Sequence, residues 1–183
     1  MEEKLIGNKG YVMKKEKLTK INTIINKIGV SGGYLNKKDL RELINNAKED
    51  IKNAEYLIEE CSKIIKNLND TNRKTYIDDA YFIRGLIYEI TQNYKLAIKD
   101  FTVAVNMYSD ANGALFERGK VYFLTKEYEH ALNDLNRVID RDSNSNGDYY
   151  YYRGLTYKAL GDNAQATKDL QQALQMAKIN RGK

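Results

Sequence analysis

Three arginines each stand sixteen residues ahead of an aspartate: Arg84 and Asp100, Arg118 and Asp134, Arg153 and Asp169. Opposite charges at one fixed spacing predict a ladder of ion pairs between facing helices, a structural chemistry that fixes register more reliably than it adds stability. Catalytic chemistry is harder to assemble. His130 is the one histidine and Cys61 the one cysteine, so residues near them in sequence supply no metal cluster and no nucleophile-base pair. His130 reads as part of a solvated face, and Cys61, on an apolar helical stripe, as an inert buried thiol. No loop of the form G-x-x-x-x-G-K-S is present to cradle a phosphate. The expectation is a protein that is not an enzyme and that uses no metal or cofactor.

The elements that position the ladder repeat along the chain. Each arginine opens the motif Arg-Gly-x-x-Tyr, at Gly85 and Tyr88, Gly119 and Tyr122, and Gly154 and Tyr157, with the glycines 34 and then 35 residues apart. Twelve residues beyond each glycine stands an alanine: Ala97, Ala131, Ala166. Small residues let two backbones approach, so each period predicts a helical hairpin closed at the glycine and alanine. Turns are marked by Gln92-Asn93, Lys126-Glu127 and Gly161-Asp162, with polar loops at Ser109-Asp110 and Asp142 to Gly147. A lone hairpin leaves an apolar face wet, so neighbours must stack.

On those residues, the segment from about Asp78 to Ile179 resembles the tetratricopeptide repeat family. The small and aromatic signature positions agree in all three periods, at 78–110, 112–144 and 147–179. The proline that commonly closes such a repeat is missing; Ser109, Ser143 and Lys178 stand at or near its place. The resemblance implies an all-α fold, with an N-terminal helical region followed by three hairpins in a right-handed superhelix. It also implies a concave groove formed by the first helix of each hairpin. That assigns Asp79, Phe82, Leu86, Glu89 and Ile90 in the first hairpin, Phe116, Lys120, Phe123 and Leu124 in the second, and Asp148, Tyr151, Leu155 and Lys158 in the third. Relatives that grip a C-terminal carboxylate use Lys, Asn and Arg there. Here Phe82, Leu86, Phe116 and Tyr151 occupy several such places, which disfavours that ligand.

Residues 36–72 carry a different pattern. Leu40, Ile44, Ala47, Ile51, Ala54, Ile58, Cys61, Ile65 and Leu68 alternate in spacings of four and three, with no Gly or Pro between Lys37 and Asn69. The stripe predicts one helix of roughly 50 Å, or two shorter helices broken near Lys52-Asn53, packed on the first hairpin in preference to forming a dimeric coiled coil. Within residues 1–35, Met13 to Ile28 reads as a basic amphipathic helix, with Leu18, Ile21, Ile24, Ile25 and Ile28 on one side. Folding back on the domain is its favoured fate, and peripheral membrane contact the lesser one.

Charge follows the same division. Residues 1–38 hold nine lysines against three glutamates, whereas the repeats balance fourteen basic against fourteen acidic side chains. A repeat region without net positive field argues against nucleic acid. Absence of a hydrophobic signal core after Met1-Glu2-Glu3-Lys4, and a single cysteine, place the expected location in the cytoplasm. The expected function is a noncatalytic adaptor that binds a partner peptide through Phe82, Leu86, Ile90, Phe116, Lys120, Phe123, Tyr151 and Leu155. The alternatives are a secretion-type chaperone for a hydrophobic client and a homo-oligomer built through the N-terminal helices.

Overall fold

The computed structural model of the protein describes residues 4–6, 12–14, 23–24, 37–49, 51–70, 77–107, 111–143 and 146–181. The fold is an all-α helical repeat. Its only extended element among the described residues is a short antiparallel ribbon of β1 (Lys4–Ile6) and β2 (Val12–Lys14). The chain divides into two compact units, Met1–Met107 and Tyr108–Lys183.

In the first unit, α1 (Lys37–Glu49) and α2 (Ile51–Asp70) precede the first repeat hairpin, α3 (Ile77–Ile90) and α4 (Tyr94–Met107). Of the two expected arrangements, the heptad stripe takes the second: two helices, the first ending at Glu49 and the second beginning at Ile51, close to Lys52-Asn53. Inside one chain the two segments pack on each other and on α3, burying Leu43, Ala47, Ala54, Leu57, Cys61 and Ile65 with Ile77, Ala80, Ile83 and Ile87. Four residues of the stripe, Ala47, Ala54, Cys61 and Ile65, are thereby taken up inside the chain. Buried Asn53 donates its Nδ2 to the carbonyl of Asn46 at 3.1 Å, tying the helices across their corner.

The expected helix from Met13 starts too early. Met13 and Lys14 lie in β2, where Met13 pairs with Leu5 and Val12 with Ile6. Strand pairing of these apolar residues outweighs the helical spacing that Met13 shares with later residues. Thr23 and Ile24 are helical, and Ile24 is buried in the core of α1, α2 and α3. Residues 15–22 and 25–28 of that segment lie outside the described residues.

The second unit contains the other two hairpins, α5 (Asn112–Leu124) with α6 (Tyr128–Arg141), and α7 (Gly147–Ala159) with α8 (Asn163–Arg181). Asn146 caps α7, its side chain accepting from the amide of Asp148 at 2.9 Å. One turn geometry closes all three hairpins. Gln92, Lys126 and Gly161 have positive φ, at 59°, 65° and 87°. The next amides, of Asn93, Glu127 and Asp162, donate back to the carbonyls of Tyr88, Tyr122 and Tyr157 at 2.8, 2.8 and 3.0 Å, satisfying a helix-end acceptor in each. Only the third turn uses glycine for the left-handed residue, the type that adopts it without steric penalty.

A candidate partner-binding surface

The expected ladder is present in every hairpin. Nε of Arg84, Arg118 and Arg153 donates to Asp100, Asp134 and Asp169 at 2.7, 2.6 and 2.7 Å. A second donation, from Nη2, completes each pair at 2.8, 2.8 and 2.9 Å. The aspartates are buried, so two-point pairing is what keeps their charge tolerable. Nη1 adds a contact to the preceding helix: Arg84 donates to Ser62 of α2 at 2.8 Å, and Arg153 to Asn136 of α6 at 2.9 Å. Ser62 thereby gives α2 the same relation to the first hairpin that α6 has to the third. The guanidinium carbon of Arg84 lies 5.4 and 5.9 Å from the ring centres of Tyr81 and Tyr88.

Signature residues occupy the helix contacts. Ala97, Ala131 and Ala166 are buried, as are Gly85, Gly119 and Gly154. Cys61 is buried too, and burial pushes its thiol up to about 12, far from reactivity. His130 is 68% exposed and lies beside Glu127. No group of three or more metal-ligating side chains occurs among the described residues. No helix among them is long and apolar enough to cross a membrane.

Residues assigned to the groove divide by burial. In the first unit Leu86 is buried, Phe82 packs 5.9 Å from Phe101, and Ile90 lies against the core shared with α2. In the second unit Phe116 is only 8% exposed, between the rings of Tyr149 at 5.0 Å and Tyr152 at 5.8 Å. Phe116 therefore serves the packing of one hairpin on the next. Lys120, Phe123 and Leu155 are half-buried, and Tyr151 is 45% exposed. Lys120 pairs with Glu117 and sits 5.8 Å from the centre of the Phe116 ring.

Tyr152 joins this set, although the repeat resemblance did not assign it to the groove. Its ring lies 6.0 Å from Phe123 and 5.5 Å from Tyr151, in edge-on geometries that favour aromatic pairs. Across α5 and α7 the result is one aromatic sheet with a solvent-facing edge, extended by Leu155 one helical turn beyond Tyr151. Signal for Tyr152 existed in the run Tyr149 to Tyr152, where four successive aromatic residues cover every side of a helix start.

Asp79 on α3 is the one groove carboxylate with an unusual environment. Its Oδ2 is buried with no hydrogen-bond partner among the described residues, and burial together with neighbouring Asp78 pushes its carboxyl up to about 6. A folded-state value above the unfolded one means that folding favours the protonated acid. The penalty of the charged form is therefore full above about pH 6 and vanishes below the ordinary value near 4. Asp79→Asn should raise the melting temperature at neutral pH by about 2 to 4 °C at most, allowing for solvent screening of a half-exposed group. Melting curves at neutral pH and near pH 4 check this: the gain must shrink at the acid end.

Comparison with known proteins follows the same architecture. The sequence model of the tetratricopeptide repeat matches residues 78–110, 113–145 and 147–180. No curated protein matches the sequence. Among solved structures, MamA aligns over 80% of this chain and 94% of its own, with a TM-score of 0.55 and 20% identity. A tetratricopeptide repeat protein from Parabacteroides merdae ATCC 43184 aligns over 86% of this chain and 53% of its own, with a TM-score of 0.60 and 19% identity. BtubC (BKLC) from P. vanneervenii reaches a TM-score of 0.66 over 89% of this chain and 66% of its own, at 11% identity. At such identities the likeness is one of fold.

Proposed function

The chain belongs to the tetratricopeptide repeat family, and on that premise we propose that it is a noncatalytic adaptor holding an apolar segment of a partner protein on the aromatic surface of α5 and α7. The observation that carries this reading is the continuous ring network of Phe123, Tyr152 and Tyr151, open to solvent at its edge, with Leu155 beside it. Rigid aromatic rings lose little conformational freedom on binding and bury much apolar area, which suits them as anchors. Lys120, held by Glu117, supplies the polar rim.

Leu86 and Phe116 drop out of the contact set in this reading, because buried side chains support the surface without touching a ligand. On α5 and α7 the binding residues are then Phe123, Tyr151, Tyr152 and Leu155; Phe82 and Ile90 belong to α3 in the first unit and lie outside this surface. Selection of displayed 12-residue peptides on the intact chain should enrich apolar and aromatic sequences. Phe123→Ala with Leu155→Ser should weaken the selected peptides at least about tenfold, the equivalent of one lost apolar anchor, while the helical circular dichroism persists. Enrichment of acidic tails, or peptides indifferent to the double substitution, would reject it.

A further inference from the structure

The second and third hairpins differ by a constant offset of 35 residues, which permits a residue-by-residue comparison of their outward faces. In the second hairpin, Phe116, Leu135, Val138 and Ile139 are 8%, 0%, 0% and 7% exposed. What covers them is α7, which packs on α5 and α6 and sets Tyr149 and Tyr152 on Phe116. Arg153 fastens the seat by donating to Asn136 at 2.9 Å.

The equivalent residues of the third hairpin are Tyr151, Leu170, Ala173 and Leu174. Here Tyr151 is 45% and Leu174 57% exposed, and the face opens into a pocket of about 590 Å³ bounded also by Asp148 and Ala177. Gln171 stands where Asn136 stands, and it is exposed. The same seat is thus built a second time and left uncovered: an aromatic floor, an aliphatic wall and a side-chain amide to accept from a cation.

We infer that this end face binds an amphipathic helix of another protein, carrying aromatic residues three apart followed at once by an arginine. The commitment to such a helix comes from α7, which shows what the equivalent seat accepts when Phe116, Val138, Ile139 and Asn136 stand in place of Tyr151, Ala173, Leu174 and Gln171. Its pattern is Tyr149-x-x-Tyr152-Arg153, and the exposed Asp148, one of the residues lining the pocket, further favours a cationic guest. A second copy of the chain is the poorer occupant. The corresponding positions of α3 are Ala80, Ile83 and Arg84, and those of α5 are Ala114, Glu117 and Arg118. Among the described residues only α7 has the pattern, and α7 is already seated within its own chain.

The probe is therefore a fluorescent, side-chain-stapled peptide of sequence 146–160, titrated into the intact protein by anisotropy. Stapling matters because a free helix of this length is marginal in water. Saturable binding is expected, weakened about tenfold or more by Leu174→Asp in the protein, a substitution at an exposed position that leaves circular dichroism unchanged. Replacing the peptide's arginine by alanine should weaken binding several-fold, and Gln171→Ala should then add little further loss. Phe123→Ala with Leu155→Ser should leave this peptide bound, which separates the end face from the α5 and α7 surface. Absence of saturable binding, or indifference to both Leu174→Asp and Gln171→Ala, overturns the inference. So does self-association of the intact chain in sedimentation that Leu174→Asp abolishes, since the occupant would then be a second copy.

Discussion

Replacing Gly85 with leucine should unfold the first hairpin, and even alanine there should be the most damaging of the three equivalent glycine substitutions. A Cβ at Gly85 would stand 2.6 Å from Cε1 and 2.8 Å from Cδ1 of Phe101, a fully buried ring that would have to shift. At Gly119 and Gly154 the nearest atoms are the leucine Cγ atoms of Leu135 and Leu170, at 3.1 and 3.0 Å. Overpacking of a filled core costs about 1 to 3 kcal/mol, against which alanine recovers up to about 1 kcal/mol of helix propensity. Gly119→Ala and Gly154→Ala should therefore fall near neutral, and Gly85→Ala should be clearly destabilised. Urea unfolding of the three variants reads this directly: equal midpoints would mean that the Phe101 contact does not limit the hairpin.

Arg84→Met should be comparably severe, for a different reason. The substitution keeps an unbranched side chain over Tyr81 and Tyr88 but leaves Asp100, only 3% exposed, without its two donors, and Ser62 without its own. Removing one member of a buried pair costs about 3 to 5 kcal/mol, chiefly the penalty of the stranded charge. Arg84→Met combined with Asp100→Leu should recover most of that loss. If the double variant is no more stable than Arg84→Met alone, the charge of Asp100 is not what makes the single change costly.

The parts legible in the sequence were those with a period. Arginine-aspartate pairs, glycine contacts and the three turns each recur at 34 or 35 residues, so one mechanism explained every copy at once. Residues 36–72 had a period too, but a spacing of three and four is the same for one long helix as for two shorter ones. Only tertiary packing on α3, with the Asn53 to Asn46 bond, selects two helices, one ending at Glu49 and the other beginning at Ile51. Met13 misled because its pairing with Leu5 is set by a strand upstream of the helical pattern, which periodicity within residues 13–28 does not sample. For the candidate surface, the family resemblance assigned positions but carried no information on their burial. Phe116 and Tyr151 are equivalent in sequence, yet one is covered by the next hairpin and the other is not.

The reach of the ladder bears on how the chain folds as it is made. Its arginines contact partners 16, 17 and 22 residues away, so each tie closes within little more than one helix and its turn. Short sequence separations keep the loop-closure entropy small and allow rapid, local nucleation. A hairpin emerging from a ribosome therefore has its charge pair and its turn, and the first and third also their backward anchors, available before any later hairpin is synthesised. Buried aspartates are neutralised as each hairpin closes, not at the end of a search over the whole chain.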